Sequence, residues 1–301
     1  MDVVVFGAGS LGSLLGGLLT TEHDVTLVGR EPHVDAVRAD GLRLTGLVEE
    51  TVHPTAVTEL TAQRPDLVVV AVKTYDTPEA AAAIANVDAG AVLSLQNGMG
   101  NEAVLADLVA APVLAGTTNY GARLVEPGVV ECTGVGDVTL GPRPCGDAEE
   151  ARIDLAESAG EAFRDAGVET RVEADMAPRL WEKLAVNAGI NPVTALARVE
   201  NGALLDGPAG EVAERAAVEV AGVARTQGVD LTDAAAREAV RRVAEATAAN
   251  RSSMLQDVEA GRRTEIDAIL GYAVDHAAGP VPTNATLLAL VSAWETGRGL
   301  R

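Results

Sequence analysis

Lysine, cysteine, aromatic residues and long apolar runs are all scarce in this 301-residue sequence, and each scarcity removes a class of protein. The two cysteines, Cys132 and Cys145, form no C-x-x-C pair and have no histidine cluster beside them, so both are expected to be inert thiols. His23, His33, His53 and His276 lie at no ligand spacing, and no metal is expected. Apolar runs are as short as Leu67–Val72, far below the roughly 18 residues of a membrane span. Met1-Asp2-Val3-Val4-Val5 has no basic leader and reads directly as a strand, so a cytoplasmic protein is expected. Basic charge is also short: 23 Lys and Arg against 44 Asp and Glu leave a formal net charge of −21. Such a surface repels nucleic acid and anionic lipid, and neither is an expected partner.

What basic charge there is comes almost wholly from arginine, since Lys73 and Lys183 are the two lysines of the chain. An acidic, lysine-poor composition resembles that of proteins from salt-loving organisms. There, carboxylates hold hydration while salt screens their repulsion, the Debye length falling to about 3 Å at 1 M. Against that background each remaining lysine calls for a specific reason.

Asp2–Phe6 is an apolar run ending at Gly7, and 11–19 continues at helical spacing, so the chain opens strand, tight turn, helix. Runs at 25–30, 67–72, 91–95 and 112–115 alternate with alanine-rich helical text at 78–85 and 101–109. That alternation predicts a parallel sheet covered by helices on both faces. Glycine-punctuated β text follows at 129–132 and 137–141, then a helix near 149–166 and a strand near 169–172. Beyond Met176 the spacing predicts helices over 176–198, 208–227, 233–249, 252–260, 264–277 and 284–296. The expected fold is α/β: a Rossmann-type, doubly wound parallel sheet that binds a dinucleotide over 1–173, and an all-α substrate and catalytic domain over 174–301. Apolar faces on that helical domain suit a homodimer.

Gly7-Ala8-Gly9-Ser10-Leu11-Gly12 matches G-x-G-x-x-G between a strand and a helix, the context in which the glycines let a pyrophosphate approach the helix N-terminus. A glycine-rich turn that merely joins strand to helix is the plain alternative. At the end of the second strand stands Arg30, whose guanidinium suits a 2′-phosphate and so favours NADPH, whereas the adjacent Glu31 would suit the free ribose hydroxyl of NADH. Farther on, Lys183, Asn187 and Asn191 recur at i, i+4 and i+8, one stripe of a helix. Pro192 is expected to kink the helix at Asn191. An exposed face in this chain would carry Glu, Asp or Arg, and amides are poor helix formers, so the stripe points to function.

Taken together these features resemble the ketopantoate reductases, the NADPH-dependent 2-dehydropantoate 2-reductases of pantothenate and coenzyme A biosynthesis. The resemblance spans the chain. It rests on the glycine loop, Arg30, Val72-Lys73, Gln96-Asn97-Gly98-Met99-Gly100, the K-x-x-x-N-x-x-x-N-P run, Asn201-Gly202, Ser252-Ser253-Met254-Leu255-Gln256-Asp257 and Arg263-Thr264-Glu265-Ile266-Asp267. It implies reduction of 2-dehydropantoate to (R)-pantoate, with Lys183 as general acid. Asn187, Asn191 and Asn201 become amides for the substrate, Ser253 a carboxylate contact and Glu265 the acceptor for the 4-hydroxyl. Asn97 and Lys73 position cofactor and substrate. The bland alternatives are helix capping at Ser252-Ser253, a dipole-favoured first-turn carboxylate at Glu265 and an ordinary turn at Asn97-Gly98. Two other functions remain: a paralogous reductase of another branched 2-oxo acid, and a non-catalytic NADP-binding sensor. Independently of family, the charge of −21 predicts that melting temperature and activity rise from dilute buffer to molar KCl. Flat curves across that range would remove the salt-adaptation reading.

Overall fold

The computed structural model describes residues 1–61, 64–144 and 149–301, with side chains left aside at 149–151. Cys145 lies outside the described residues. Two compact units emerge: Met1–Gln96 with Asn101–Met176, and Ala177–Arg301 together with the four-residue stretch Asn97–Gly100.

The first unit runs β1 (Asp2–Phe6), α1 (Ser10–Leu19), β2 (Asp24–Val28), α2 (His33–Asp40), β3 (Leu42–Gly46), β4 (Glu50–Val52), β5 (Thr55–Val57), β6 (Leu67–Val70), α3 (Thr77–Ile84), β7 (Ala91–Ser94), α4 (Asn101–Leu108), β8 (Val113–Thr118), β9 (Gly121–Glu126), β10 (Val129–Gly134), β11 (Val138–Pro142), α5 (Glu149–Asp165) and β12 (Thr170–Val172). Its main sheet has the order β12-β11-β8-β7-β6-β1-β2-β5. Strand side chains alternate between faces, so β1 sends Val3 and Val5 into one apolar cluster and Val4 into another. Leu67 and Val69 of β6 divide from Val68 and Val70 in the same way. Strands buried on both sides have no reason to alternate in polarity, which is why they read as unbroken valine runs.

From β8 to β5 the strands are parallel, as expected, but β11 runs antiparallel to β8 and carries β12 parallel to itself. A second sheet, β4-β3-β10-β9, was not anticipated. Its strands are short, and in β3 only Leu42 and Leu44 point inward around an exposed Arg43, a pattern too brief to stand out in the sequence. Cys132 in β10 is buried, and burial pushes its thiol pKa up, which keeps it protonated and unreactive.

The second unit consists of α6 (Ala177–Ala197), α7 (Pro208–Thr226), α8 (Asp233–Ala246), α9 (Ser253–Glu259), α10 (Tyr272–Asp275) and α11 (Pro282–Thr296). Gly189 lets α6 and α7 approach closely, since a Cβ there would stand 2.8 Å from the Ala213 carbonyl oxygen. The expected kink does not break α6, which continues as helix through Pro192. Beyond the proline, Thr194 Oγ1 donates back to the carbonyls of Ile190 (2.8 Å) and Asn191 (3.2 Å). The helix expected over 264–277 also differs, since Asp267–Gly271 forms a π-helical turn ahead of α10. Among the described residues, no helix is long and apolar enough to cross a membrane.

His33, read as non-catalytic, is a buried pin within the first unit. Its Nδ1 accepts the Gly128 N–H at 3.0 Å, which places the ring proton on Nε2, 2.9 Å from Ser13 Oγ. Burial lowers its pKa below the ordinary value. The unfolded chain therefore takes up this proton first as pH falls, so the contribution of neutral His33 is present above about pH 6.5 and is lost below it. Thermal melts in molar KCl between pH 7.5 and 5.5 should show a smaller decline for His33→Gln than for the parent. Identical slopes would remove His33 as a source of that decline.

Candidate active site

In the first unit the three glycines of the β1–α1 loop do three different things. Gly7 has a φ of +111°, and a Cβ there would stand 2.7 Å from the Val72 backbone nitrogen at the end of β6. Only glycine fits such a turn. Gly12 packs so tightly that a Cβ would sit 2.1 Å from the Gly7 carbonyl oxygen, whereas a Cβ on Gly9 would meet nothing within 4 Å. Gly9 thus leaves an open approach to the N-terminus of α1, which has no side-chain cap and no acidic residue in its first turn. Unpartnered amides, a positive dipole end and open space suit a pyrophosphate. Ala8 is buried and Leu11 partly so, each packed into the core on this side of the sheet. The Ser10 hydroxyl accepts the Leu124 N–H at 3.0 Å, leaving its own proton to donate to a ligand.

Arg30 follows β2 and is 82% exposed, with Nη2 donating to Asp76 Oδ2 at 3.1 Å. Asp76 lies in the 3₁₀ turn just past Lys73, so the ends of β2 and β6 are linked by charge. Lys73 itself is half-buried at the start of that turn. Beneath it is a buried amide network that sequence reading did not single out. Gln96 Nε2 donates to the Val72 carbonyl (3.2 Å) and to Thr77 Oγ1 (2.7 Å), while Thr77 donates to Asn101 Oδ1 (3.0 Å). These bonds hold the backbone on which Lys73 stands. Gln96 was visible only as the neighbour of Asn97-Gly98.

Within the second unit, the stretch Asn97–Gly100 lies against the π-helical turn. The Met99 N–H donates to the Ala268 carbonyl at 3.1 Å. Gly98 has a φ of +79°, and a Cβ there would come within 2.6 Å of Ala268 Cβ. That contact brings Asn97 Nδ2 to 3.5 Å from Glu265 Oε2, the outer limit of a hydrogen bond. Glu265 is buried rather than displayed on a surface first turn. A π-helical turn is a frequent feature of functional sites.

Lys183, Asn187 and Asn191 all lie on α6, successive turns apart, the first two half-buried and the third buried. Ser252 caps α9, accepting the Leu255 N–H at 3.1 Å and meeting Thr194 Oγ1 at 2.7 Å, while Ser253 is exposed beside it. The two serines therefore divide the capping and surface roles. Asn201 is also buried, and its Oδ1 has no hydrogen-bond partner among the described residues. The reason lies in Thr247, which sequence reading had no signal to find. Thr247 Oγ1 donates to the Val243 carbonyl at 2.6 Å and can then only accept from Asn201 Nδ2, at 2.8 Å. The amide is thereby oriented with Oδ1 as its unpartnered atom, and an orphaned buried acceptor costs about 1–3 kcal/mol until a donor arrives. Thr247→Val should release it and raise the substrate KM roughly tenfold, while Thr247→Ser restores the parent value. Equal KM values for Val and Ser variants would remove this role.

Two family profiles match the chain in succession: "Ketopantoate reductase PanE/ApbA" over residues 3–144 and "Ketopantoate reductase PanE/ApbA C terminal" over residues 175–295. A 2-dehydropantoate 2-reductase of Halobacterium salinarum is 46% identical over 303 residues, spanning 97% of this chain and 98% of the relative. The crystal structure of a PanE/ApbA family ketopantoate reductase from Ralstonia eutropha JMP134 superposes with a TM-score of 0.87 at 33% identity, covering 99% of this chain and 100% of that one. A D-mandelate dehydrogenase in complex with NADH has a TM-score of 0.87 at 25% identity, covering 99% of each chain. From the N-terminal sheet to the last helix, the chain belongs to the ketopantoate reductase family.

Proposed function

We propose that this protein is a cytoplasmic oxidoreductase that reduces 2-dehydropantoate to (R)-pantoate with NADPH. The observation that carries the reading is the buried Glu265 carboxylate held beside the Asn97 amide. A buried carboxylate that can accept one more hydrogen bond selects a substrate hydroxyl, because an analogue without one forgoes that bond. The glycine loop and the uncapped start of α1 fit the pyrophosphate, and Arg30, with Asp76 bracing its guanidinium, suits the 2′-phosphate.

When bound, NADPH supplies the hydride that adds to the C2 carbonyl carbon. Negative charge then develops on the C2 oxygen, and the Lys183 ammonium stabilises it and gives up a proton to complete the alcohol. Asn187, Asn191 and Asn201 hold the substrate's polar groups without adding charge, Asn201 through its free Oδ1. Ser253 takes the carboxylate, and Glu265 the 4-hydroxyl. Lys73 and Asn97 position the reacting ends.

The likeness to D-mandelate dehydrogenase supports one second reading, reduction of a different 2-oxo acid. The two part on the 4-hydroxyl. NADPH oxidation in molar KCl should prefer ketopantoate to 2-oxoisovalerate, and NADPH to NADH, and Lys183→Ala should lower kcat by roughly 10²- to 10⁴-fold. Turnover indifferent to the 4-hydroxyl would move the assignment to the second reading. NADPH binding without turnover of either substrate would leave only a nucleotide-binding role.

A further inference from the structure

Glu295, on α11, is completely buried, and none of the roles above uses it. A carboxylate in that position must be bonded on every side to be tolerated. Its Oε1 accepts both the Thr264 backbone N–H (2.7 Å) and the Thr264 hydroxyl (2.6 Å), and its Oε2 accepts Arg301 Nε at 2.7 Å. Thr264 Oγ1 in turn accepts the Ile266 N–H at 3.3 Å, so this hydroxyl is held at both ends. Arg301 also donates through Nη2 to Asp267, which Arg263 meets at 3.3 Å. Burial lowers the pKa of Arg301, but its bonds to Asp267 and Glu295 outweigh this and raise it overall.

These contacts bracket one residue. Thr264, immediately before Glu265, is fixed by Glu295, and Asp267, two residues after, is fixed by Arg301. Between the two clamps the Glu265 backbone has little freedom, and its carboxylate is delivered to Asn97. We propose that Glu295 and Arg301 are positioning residues that set substrate specificity by fixing where the Glu265 carboxylate stands. The proposal rests on the reading of Glu265 as the acceptor for the substrate's 4-hydroxyl. If the clamp acts in this way, loosening it harms only substrates that use Glu265. A merely structural role would harm all substrates alike.

The experiment compares kcat/KM for ketopantoate with that for 2-oxoisovalerate, which lacks the 4-hydroxyl, in the full-length protein in molar KCl. The variants are Arg301→Ala, Arg301→Lys, Glu295→Gln and Glu265→Gln, with melting temperature and NADPH affinity recorded beside them. Arg301→Ala and Glu295→Gln should lower the ratio of the two values on the order of ten- to a hundredfold, with NADPH affinity unchanged. Arg301→Lys, which keeps the charge beside Glu295, should recover part of the ratio, and it serves where the alanine variant does not fold. A ratio that stays at the parent value, or parallel loss on both substrates, overturns the positioning role if Glu265→Gln collapses the ratio. A ratio unmoved by Glu265→Gln overturns the reading of Glu265, and the proposal with it.

Discussion

A sheet buried on both faces can meet a ligand only at its edge, and that constraint organises the N-terminal unit. Its strands carry mostly valine, leucine and alanine on either side, and the few polar side chains buried on them are small, such as Thr26 and Ser94, the latter bonded to Gln96. The larger polar and charged side chains gather in the first residues past each strand. Gly7 follows β1, Arg30 comes two residues after β2, Lys73 three after β6 and Asn97 three after β7. The sheet order changes direction between β1 and β6, and there the Gly7 turn lies against the Val72 backbone. That is the crevice where open α/β sheets hold ligands.

Charge is distributed under a related rule. The formal net charge is −21, and arginine rather than lysine answers the carboxylates that are held in place. Burial raises the pKa of Glu214, yet Arg237 and Arg241 grip it from both sides and lower it overall. Arg242 meets Glu182 and Arg301 meets Glu295 in the same manner. The planar guanidinium, with its fixed fork of donors, suits these sites; a flexible ammonium is a proton donor on a long arm. Lysine is kept for two positions, one following β6 and one on α6.

Residues whose constraint is local were legible in the sequence. The glycine loop imposes backbone requirements that appear as spacing, and the stripe on α6 follows from helical periodicity alone. Residues whose constraint comes from distant partners were not legible. Gln96 acts through Val72 and Thr77, Thr247 through Asn201, and Glu295 through Thr264, pairings that no window of sequence contains. At Pro192 the helix runs on past the lost donor, and Thr194 Oγ1 donates back to the carbonyls of Ile190 and Asn191, a bond the proline's own geometry does not announce. Of the small second sheet only β10 was legible, at 129–132, because β3, β4 and β9 turn too few apolar residues inward to mark them.

The π-helical turn at Asp267–Gly271 has a bearing on how this segment can change in length. A π turn holds one residue more than the α turn it replaces. Removing a single residue there would close the spiral to an α turn of nearly the same angular span, so the helix beyond would keep its facing. The change would fall within the turn itself, the wide coil from which the Ala268 carbonyl accepts the Met99 N–H and so seats Asn97 beside Glu265. The extra residue is thus a local widening that serves one contact and leaves the phase of the helix after it unchanged.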